Sequence, residues 1–450
     1  MNKINVKRYG AFLLVLLMGF SIALTGCGAK ITSSDAKATG GTIENSAVSF
    51  EFWSAPNPTQ DKFWKGMAEE YMKQNPNVKI KVSSIPEKPS SEAAIQAAIA
   101  AKSAPAASEN IMRSFAATLY QSKAIVPLNK IDGWDKLVET RKMADSVKPW
   151  KLSDGNQYVM PIYNNAMQFG WRMDLLKEAG ITEVPKTYSQ VIEAGKKIKA
   201  KYPDKFLWAS QDLGRADDWW TRWFDFLMLY DAATGGKTDF IEGTKLVADD
   251  KAALEVLTFL SELQKNNLLL PSQATDPFET GLGAFATVGP WSLPTWKEKY
   301  PDLLSNVELT LPPVPDSVNP ADSKTFADAK GIVIYASVPE EQQKAAWEFI
   351  KWVFSNPDND LKWLQETNLP PARDDTATNP AFKDFFDQNP ALKKFAEAIP
   401  NSIPPMDNDK IVDLQTIMGR EGVVPVVNGQ KDPETAWKDM KKALQDALAK

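Results

Sequence analysis

Apolar and polar positions alternate strictly where the chain first shows order. Val48, Phe50 and Phe52 are separated by Ser49 and Glu51, the period-two pattern of a strand with one buried face. Asn57 to Gln60 then supplies capping residues, and Phe63, Met67, Ala68 and Tyr71 recur at helical spacing. Asn75-Pro76-Asn77 stops that helix, and Val78, Ile80 and Val82 alternate in a second strand, followed by an alanine-rich helical stretch from Pro89 to Ala101. This β-α-β-α start predicts an α/β layer architecture with a largely parallel sheet. Further on, Gly331 to Tyr335 reads as a buried strand and Glu340 to Phe354 as an amphipathic helix closed by Asn356-Pro357. Asp432-Pro433-Glu434 opens a final helix whose apolar stripe is Trp437, Met440, Leu444 and Leu448. The chain contains no internal repeat.

The first residues follow a different pattern. Lys3, Lys7 and Arg8 precede an apolar run from Ala11 to Leu24, about the length of a signal-peptide core and too short to span a bilayer comfortably. Leu24-Thr25-Gly26-Cys27 follows and resembles the lipobox, at which the cysteine is lipidated and becomes the new N-terminus. Residues 1–26 are read as a lipoprotein signal peptide. Residues 27–46, rich in Gly, Ala, Ser and Thr, are read as a flexible tether carrying lipidated Cys27. No later apolar stretch is long and uncharged enough to span a membrane. The expectation is a soluble domain held by lipid alone on the outer face of the cytoplasmic membrane, more in the Gram-positive manner.

Composition removes several chemistries. Cys27 is the only cysteine and the chain has no histidine, which excludes Ser-His-Asp and Cys-His catalysis, HExxH chemistry and histidine-ligated metals. The net charge of −5 argues against a nucleic-acid partner. Gly281 to Ala286 matches GxGxxA, but no buried strand precedes it and Gly289-Pro290 soon follows, so a dinucleotide site is not expected. Asp358-Asn359-Asp360 and Asp407-Asn408-Asp409 hint at calcium without the glycine and distal glutamate of an EF-hand loop, and are read as solvated turns. No cofactor or metal is expected.

The 15 tryptophans are more informative. Trp53 stands where the first strand gives way to a Ser-Ala-Pro-Asn-Pro loop, Trp219 and Trp220 follow Asp217-Asp218, and Trp291 follows Gly289-Pro290. Open α/β sheets bind ligands at the carboxyl ends of their strands, and a flat indole can cover the apolar face of a sugar ring while polar side chains meet its hydroxyls. Trp223, Trp347, Trp352 and Trp437, on amphipathic helices, are expected in the core.

With the lipobox, the strand ending in Phe52-Trp53-Ser54 and the helix ending at Gln74-Asn75-Pro76-Asn77-Val78, the chain resembles the maltose-binding-like family of bacterial extracellular solute-binding proteins. Asp154 to Pro161 looks like that family's first crossing between lobes, and Trp171 to Gly180 is similar to its "YNKDLFKEAG" stretch. Phe285 to Trp291 resembles the return crossing. Pro312, Pro313, Pro315 and Leu369 to Arg373 fit the remaining landmarks. Arg172 and Met173 depart from the usual Asn and Lys.

The resemblance implies a two-lobed periplasmic-binding-protein-like α/β fold of the class II type, with three hinge crossings and a cleft between lobes. It places lobe I at 47–161 plus 286–335 and lobe II at 162–285 plus 336–450. It implies a monomer that binds an oligosaccharide, neutral or acidic, and presents it to the permease of an ABC importer without catalysis. Trp53, with Ser54 beside it, and Trp291 would be stacking platforms from the first lobe, and Trp219 or Trp220 from the second. Tyr163, Asn164 and Asn165 would line the floor, with Asp217, Asp218, Glu279 and Arg373 as hydroxyl partners and Arg113 meeting either ligand or solvent. Arg113, Arg172, Arg215 and Arg373 would also suit a uronide. Two alternatives stay open: a binding protein for a non-sugar solute, and a tethered glycoside hydrolase needing only two carboxylates.

Overall fold

The computed structural model describes residues 47–449 except 89, 211–212, 217–220, 272–273 and 409. Among the described residues, twelve strands form two main sheets and a small hairpin. They are β1 (Val48–Ser54), β2 (Val78–Ser84), β3 (Ala107–Ile111), β4 (Met160–Ala166), β5 (Gln168–Arg172), β6 (Phe206–Trp208), β7 (Ile241–Glu242), β8 (Lys245–Leu246), β9 (Gly283–Val288), β10 (Val307–Thr310), β11 (Thr325–Ile334) and β12 (Ser402–Ile403).

The first sheet runs β12-β11-β3-β1-β2, with β4 also paired to β11. β1 pairs in parallel with β2 and β3, as the opening pattern predicts. The intervening helices begin at caps the sequence supplies: Asn57 receives the Thr59 N–H before Pro58–Gln74, and Ser90 receives the Ala93 N–H before Ser91–Ala100. β11 is the spine, antiparallel to β3 and β4 and parallel to β12. Its register with β4 slips between Lys330 and Gly331, and a β-carbon at Gly331 would stand 2.3 Å from the Met160 carbonyl oxygen. Only glycine lets the two backbones approach that closely.

Both faces of this sheet are covered. On one, Phe50 and Phe52 meet the helices Pro58–Gln74, Glu340–Phe354 and Pro357–Thr367, with Phe52 4.4 Å from Trp64 and Phe63 5.1 Å from Trp363 between ring centroids. On the other lie Ile85, Ile95, Ile111, Phe115 and Trp150. Burying each such side chain is worth roughly 1.5–3 kcal/mol.

The second sheet runs β10-β5-β9-β6. Phe169 and Trp171, two apart on β5, project to one face and pack on Phe285 of β9 at 4.1 and 4.3 Å, with Trp208 of β6 at 5.3 Å. The helices Tyr188–Lys201, Asp250–Lys265 and Pro433–Leu448 contribute to the same core. Asp432 caps the last of them, and Trp437 donates its indole N–H to Asp250. The expected core positions of Trp223, Trp347 and Trp437 hold, while Trp352 is half-buried against Tyr71.

The chain passes from the first sheet to the second at Met167, the single residue between β4 and β5, and returns between β10 and β11. These points differ from the expected boundaries. β9, expected to be divided at 285/286, pairs throughout within the second sheet, whereas residues 340–367, expected with lobe II, pack on the first. Hydrogen-bond pairing decides membership of a sheet, and it is blind to the local landmarks that suggested those boundaries. The Gly281–Ala286 motif ends in β9 rather than opening a helix, which removes the dinucleotide reading.

Candidate functional site

The carboxyl ends of parallel strands leave room that their loops do not fill, and both sheets have a cavity there. At the first, β1 and β2 end in Ser54 and Ser84 beside a cavity of about 600 Å³ lined by Pro56, Asn57, Asp61, Ser84, Glu87 and Lys88 among others. At the second, β6 and β9 end at a cavity of about 280 Å³. Ser210, Thr221, Thr287 and Ser292 bring hydroxyls to it, Asp225 and Glu279 carboxylates, and Phe224 and Trp296 aromatic surface.

These groups are held in place by identifiable contacts. Glu279 accepts the indole N–H of Trp296 at 2.8 Å, which fixes the carboxylate and the ring together. Arg172 donates to the backbone carbonyls of Phe278 and Glu279 at 2.8 and 3.1 Å while pairing with Asp174, so it props the loop that carries Glu279. Asp225 sits in the π-helical turn Trp223–Leu227, a wide turn that recurs at functional sites. Burial pushes its carboxyl up to about 6, against the opposing pull of Arg222 at 2.7 Å.

Trp291 stands three residues beyond the end of β9, 48% exposed; the other exposed large apolar side chain among the described residues is Val412. Its ring lies over Gly289, where a β-carbon would meet three ring carbons at 2.4–2.5 Å. The indole is therefore held by the turn that precedes it and keeps much of its surface open to solvent.

Of the residues singled out from the sequence, Glu279 lines this pocket, and Trp291 stands twelve residues further on, beyond β9 and next in sequence to Ser292 of the lining. Trp291 belongs beside the second sheet, not the first, because β9 pairs with β5 and β6. Trp53 is half-buried, packed on the core formed by Ile85, Ile111 and Phe115. Ser54 is fully buried and donates to Asp61 at 2.9 Å. Tyr163 is a core residue stacked on Trp363 at 5.9 Å. Asn164 donates to Ser402 at 2.6 Å, and it and Asn165 each leave a buried carboxamide oxygen without a partner. Asp217, Asp218, Trp219 and Trp220 lie outside the described residues, as does Cys27.

The arginines are employed structurally. Arg373, 2% exposed, pairs with Asp360 at 3.0 Å and Asp375 at 2.8 Å. Asp360 also pairs with fully buried Arg141, which donates to the carbonyls of Pro161 and Ile162 on β4. Arg373 is thus a component of a buried ion network and not a hydroxyl partner; Asp360 is in the same network rather than in a calcium turn. Arg113 is buried, donating to the carbonyls of Lys151 at 2.7 Å and Pro405 at 3.5 Å, with Asp239 at 3.9 Å. Among the described residues no group of three or more acidic side chains could hold a metal ion, and no helix is long and apolar enough to cross a membrane.

Residues 66–394 match the family model described as bacterial extracellular solute-binding protein. The chain belongs to this family. An uncharacterized protein from Listeria monocytogenes is 54% identical, with 89% of this chain and 100% of that one covered at a TM-score of 0.87. The cyclic alpha-maltosyl-1,6-maltose binding protein from Arthrobacter globiformis is 19% identical over 89% of this chain and 99% of its own, at 0.75. The sugar-binding protein MalE from Xanthomonas citri is 20% identical over 89% and 98%, at 0.73. The fold is the two-lobed α/β fold of these proteins, and the chain is a solute-binding protein.

Asp225, Trp296 and the four hydroxyls of this pocket were not among the residues singled out from the sequence. Trp296 carries a readable signal, five residues beyond an exposed Trp291 and across from an acid at 279. Asp225 carries none, since an acid amid Trp223, Phe224 and Phe226 looks like the polar side of a helix.

Proposed function

We propose that this protein binds an oligosaccharide between its two lobes and presents it to the permease of an ABC importer, without chemical conversion. The observation that carries the reading is the pocket at the end of β9. Its described lining holds two carboxylates, four hydroxyls and the aromatic surface of Phe224 and Trp296, and the exposed indole of Trp291 stands one residue before the lining residue Ser292, which together offer an apolar platform and hydrogen-bonding groups. A cavity of about 280 Å³ is at the lower end of ligand pockets, room for a ring-sized group with further units lying out over Trp291. The sugar-binding proteins of similar fold support the same class of ligand.

The lobes follow from the sheets in this reading: one built on β1–β4 with β11 and β12, the other on β5, β6, β9 and β10. A ligand touching both favours the closed arrangement by its differential affinity. The leader ending in Leu24-Thr25-Gly26-Cys27 supports lipid anchoring at the outer face of the membrane.

Thermal unfolding of the full chain against a panel of oligosaccharides tests the proposal, because a ligand that binds only the folded state raises the melting point by mass action. A shift with one saccharide class is the expected result. No shift across the panel, with a shift from a peptide or polyamine, would replace the sugar by another solute. Release of shorter sugars on long incubation would show a hydrolase.

A further inference from the structure

The sequence offered four arginines for an acidic sugar, and the structure disposes of three of them. Arg373 is closed into the network with Asp360 and Asp375, Arg113 serves the carbonyls of Lys151 and Pro405, and Arg172 serves Asp174 and the loop carbonyls of Phe278 and Glu279. None of the three lines the pocket at the end of β9. The described residues that do line it include two carboxylates and no lysine or arginine. Arg222 stands next to Asp225, but it is itself fully buried and the two are within 2.7 Å, so its charge is spent on that acid.

Resting on the saccharide reading above, we infer that this pocket takes an uncharged sugar ring and rejects one that carries a carboxylate or sulfate. Glu279 is the residue that sets this selectivity. Trp296 occupies one of its carboxylate oxygens with a neutral indole donor, which orients the group without cancelling its charge. The carboxylate is half-buried, so water screens it only in part. Hydroxyls on a neutral ring donate to such an oxygen, whereas an anion placed there meets a like charge with no cation among the described lining residues to offset it. The cavity at the first sheet does not reverse this balance, because among its described lining residues the one cation, Lys88, is outnumbered by the acids Asp61 and Glu87.

Calorimetric titration of the full chain with matched pairs tests the inference: α-1,4-digalacturonate against its methyl ester, and maltotriose against its C6-oxidised counterpart. In any pair that binds, the neutral member is expected to bind at least tenfold more tightly. The gap should narrow at high salt, which screens charge repulsion, and narrow again in Glu279→Gln, which keeps an oxygen for Trp296 and removes the charge. Equal or tighter binding of the acidic member would overturn the inference while leaving the saccharide reading standing. A gap unchanged by both salt and Glu279→Gln would also overturn it. Absence of binding by every member of both pairs, with the thermal panel equally silent, would remove the saccharide reading and this inference with it.

Discussion

The indole of Trp291 lies across the bare α-carbon of Gly289, so closely that a β-carbon there would stand 2.4 Å from the ring. Real β-carbons do not approach that near, so a side chain at 289 and the present position of Trp291 are incompatible. Gly289→Ala is therefore expected to turn the ring from its present position and weaken saccharide binding about tenfold, in the range of one aromatic contact plus its buried area. Trp291→Ala should lose a similar amount, and the double variant little more, because both changes remove one platform. Calorimetric titration of the three variants checks this; additive losses would show that Gly289 acts elsewhere.

The Arg141–Asp360–Arg373 network gives the opposite expectation. All three side chains are almost fully buried, and Arg141 also holds the carbonyls of Pro161 and Ile162. Removing one partner leaves buried charge uncompensated, so Arg373→Met should cost about 3–5 kcal/mol of stability. The affinity of the protein that remains folded should stay within about twofold of the parent. Urea unfolding beside a binding titration separates the two effects, and a large loss of affinity at unchanged stability would restore Arg373 to the ligand site.

Glu109 makes stability depend on pH. Its fully buried carboxyl accepts the Ala55 N–H at 2.5 Å, yet burial outweighs its hydrogen bonds and pushes it up to about 7 from 4.5. A raised carboxyl favours the fold in its protonated form. Its contribution is complete below pH 4.5, declines as pH rises to 7, and totals about 3 kcal/mol over that window. Glu109→Gln keeps the acceptor for Ala55 and cannot ionise, so its stability relative to the parent should grow from pH 4.5 to 8. Urea unfolding across that range checks the difference between the two proteins, which isolates Glu109 from Asp225.

Much of the fold was legible because its signals are local. Alternation at Val48, Phe50 and Phe52, the caps Asn57 and Asp432, and the stripe Trp437, Met440, Leu444 and Leu448 each lie within one element. Of the described lining of the candidate pocket, only Glu279 was singled out from the sequence, where turn residues surround an acid. Tyr163 misled because all seven residues of β4 are buried, so no alternation marks which side faces the core. Arg373 misled because its partner Asp360 is thirteen residues away and shared with Arg141, a relation only the folded chain creates. The change of sheet at Met167 takes one residue and leaves no break in composition.

The most direct test of the central claim is a calorimetric titration of the full chain with the saccharide that gives the largest thermal shift, repeated on Trp291→Ala. The account expects one-to-one binding in the parent and at least a tenfold loss in the variant, with the melting point of the unliganded protein little changed. Binding of equal strength in both proteins would place the ligand away from the pocket at the end of β9 and contradict the account.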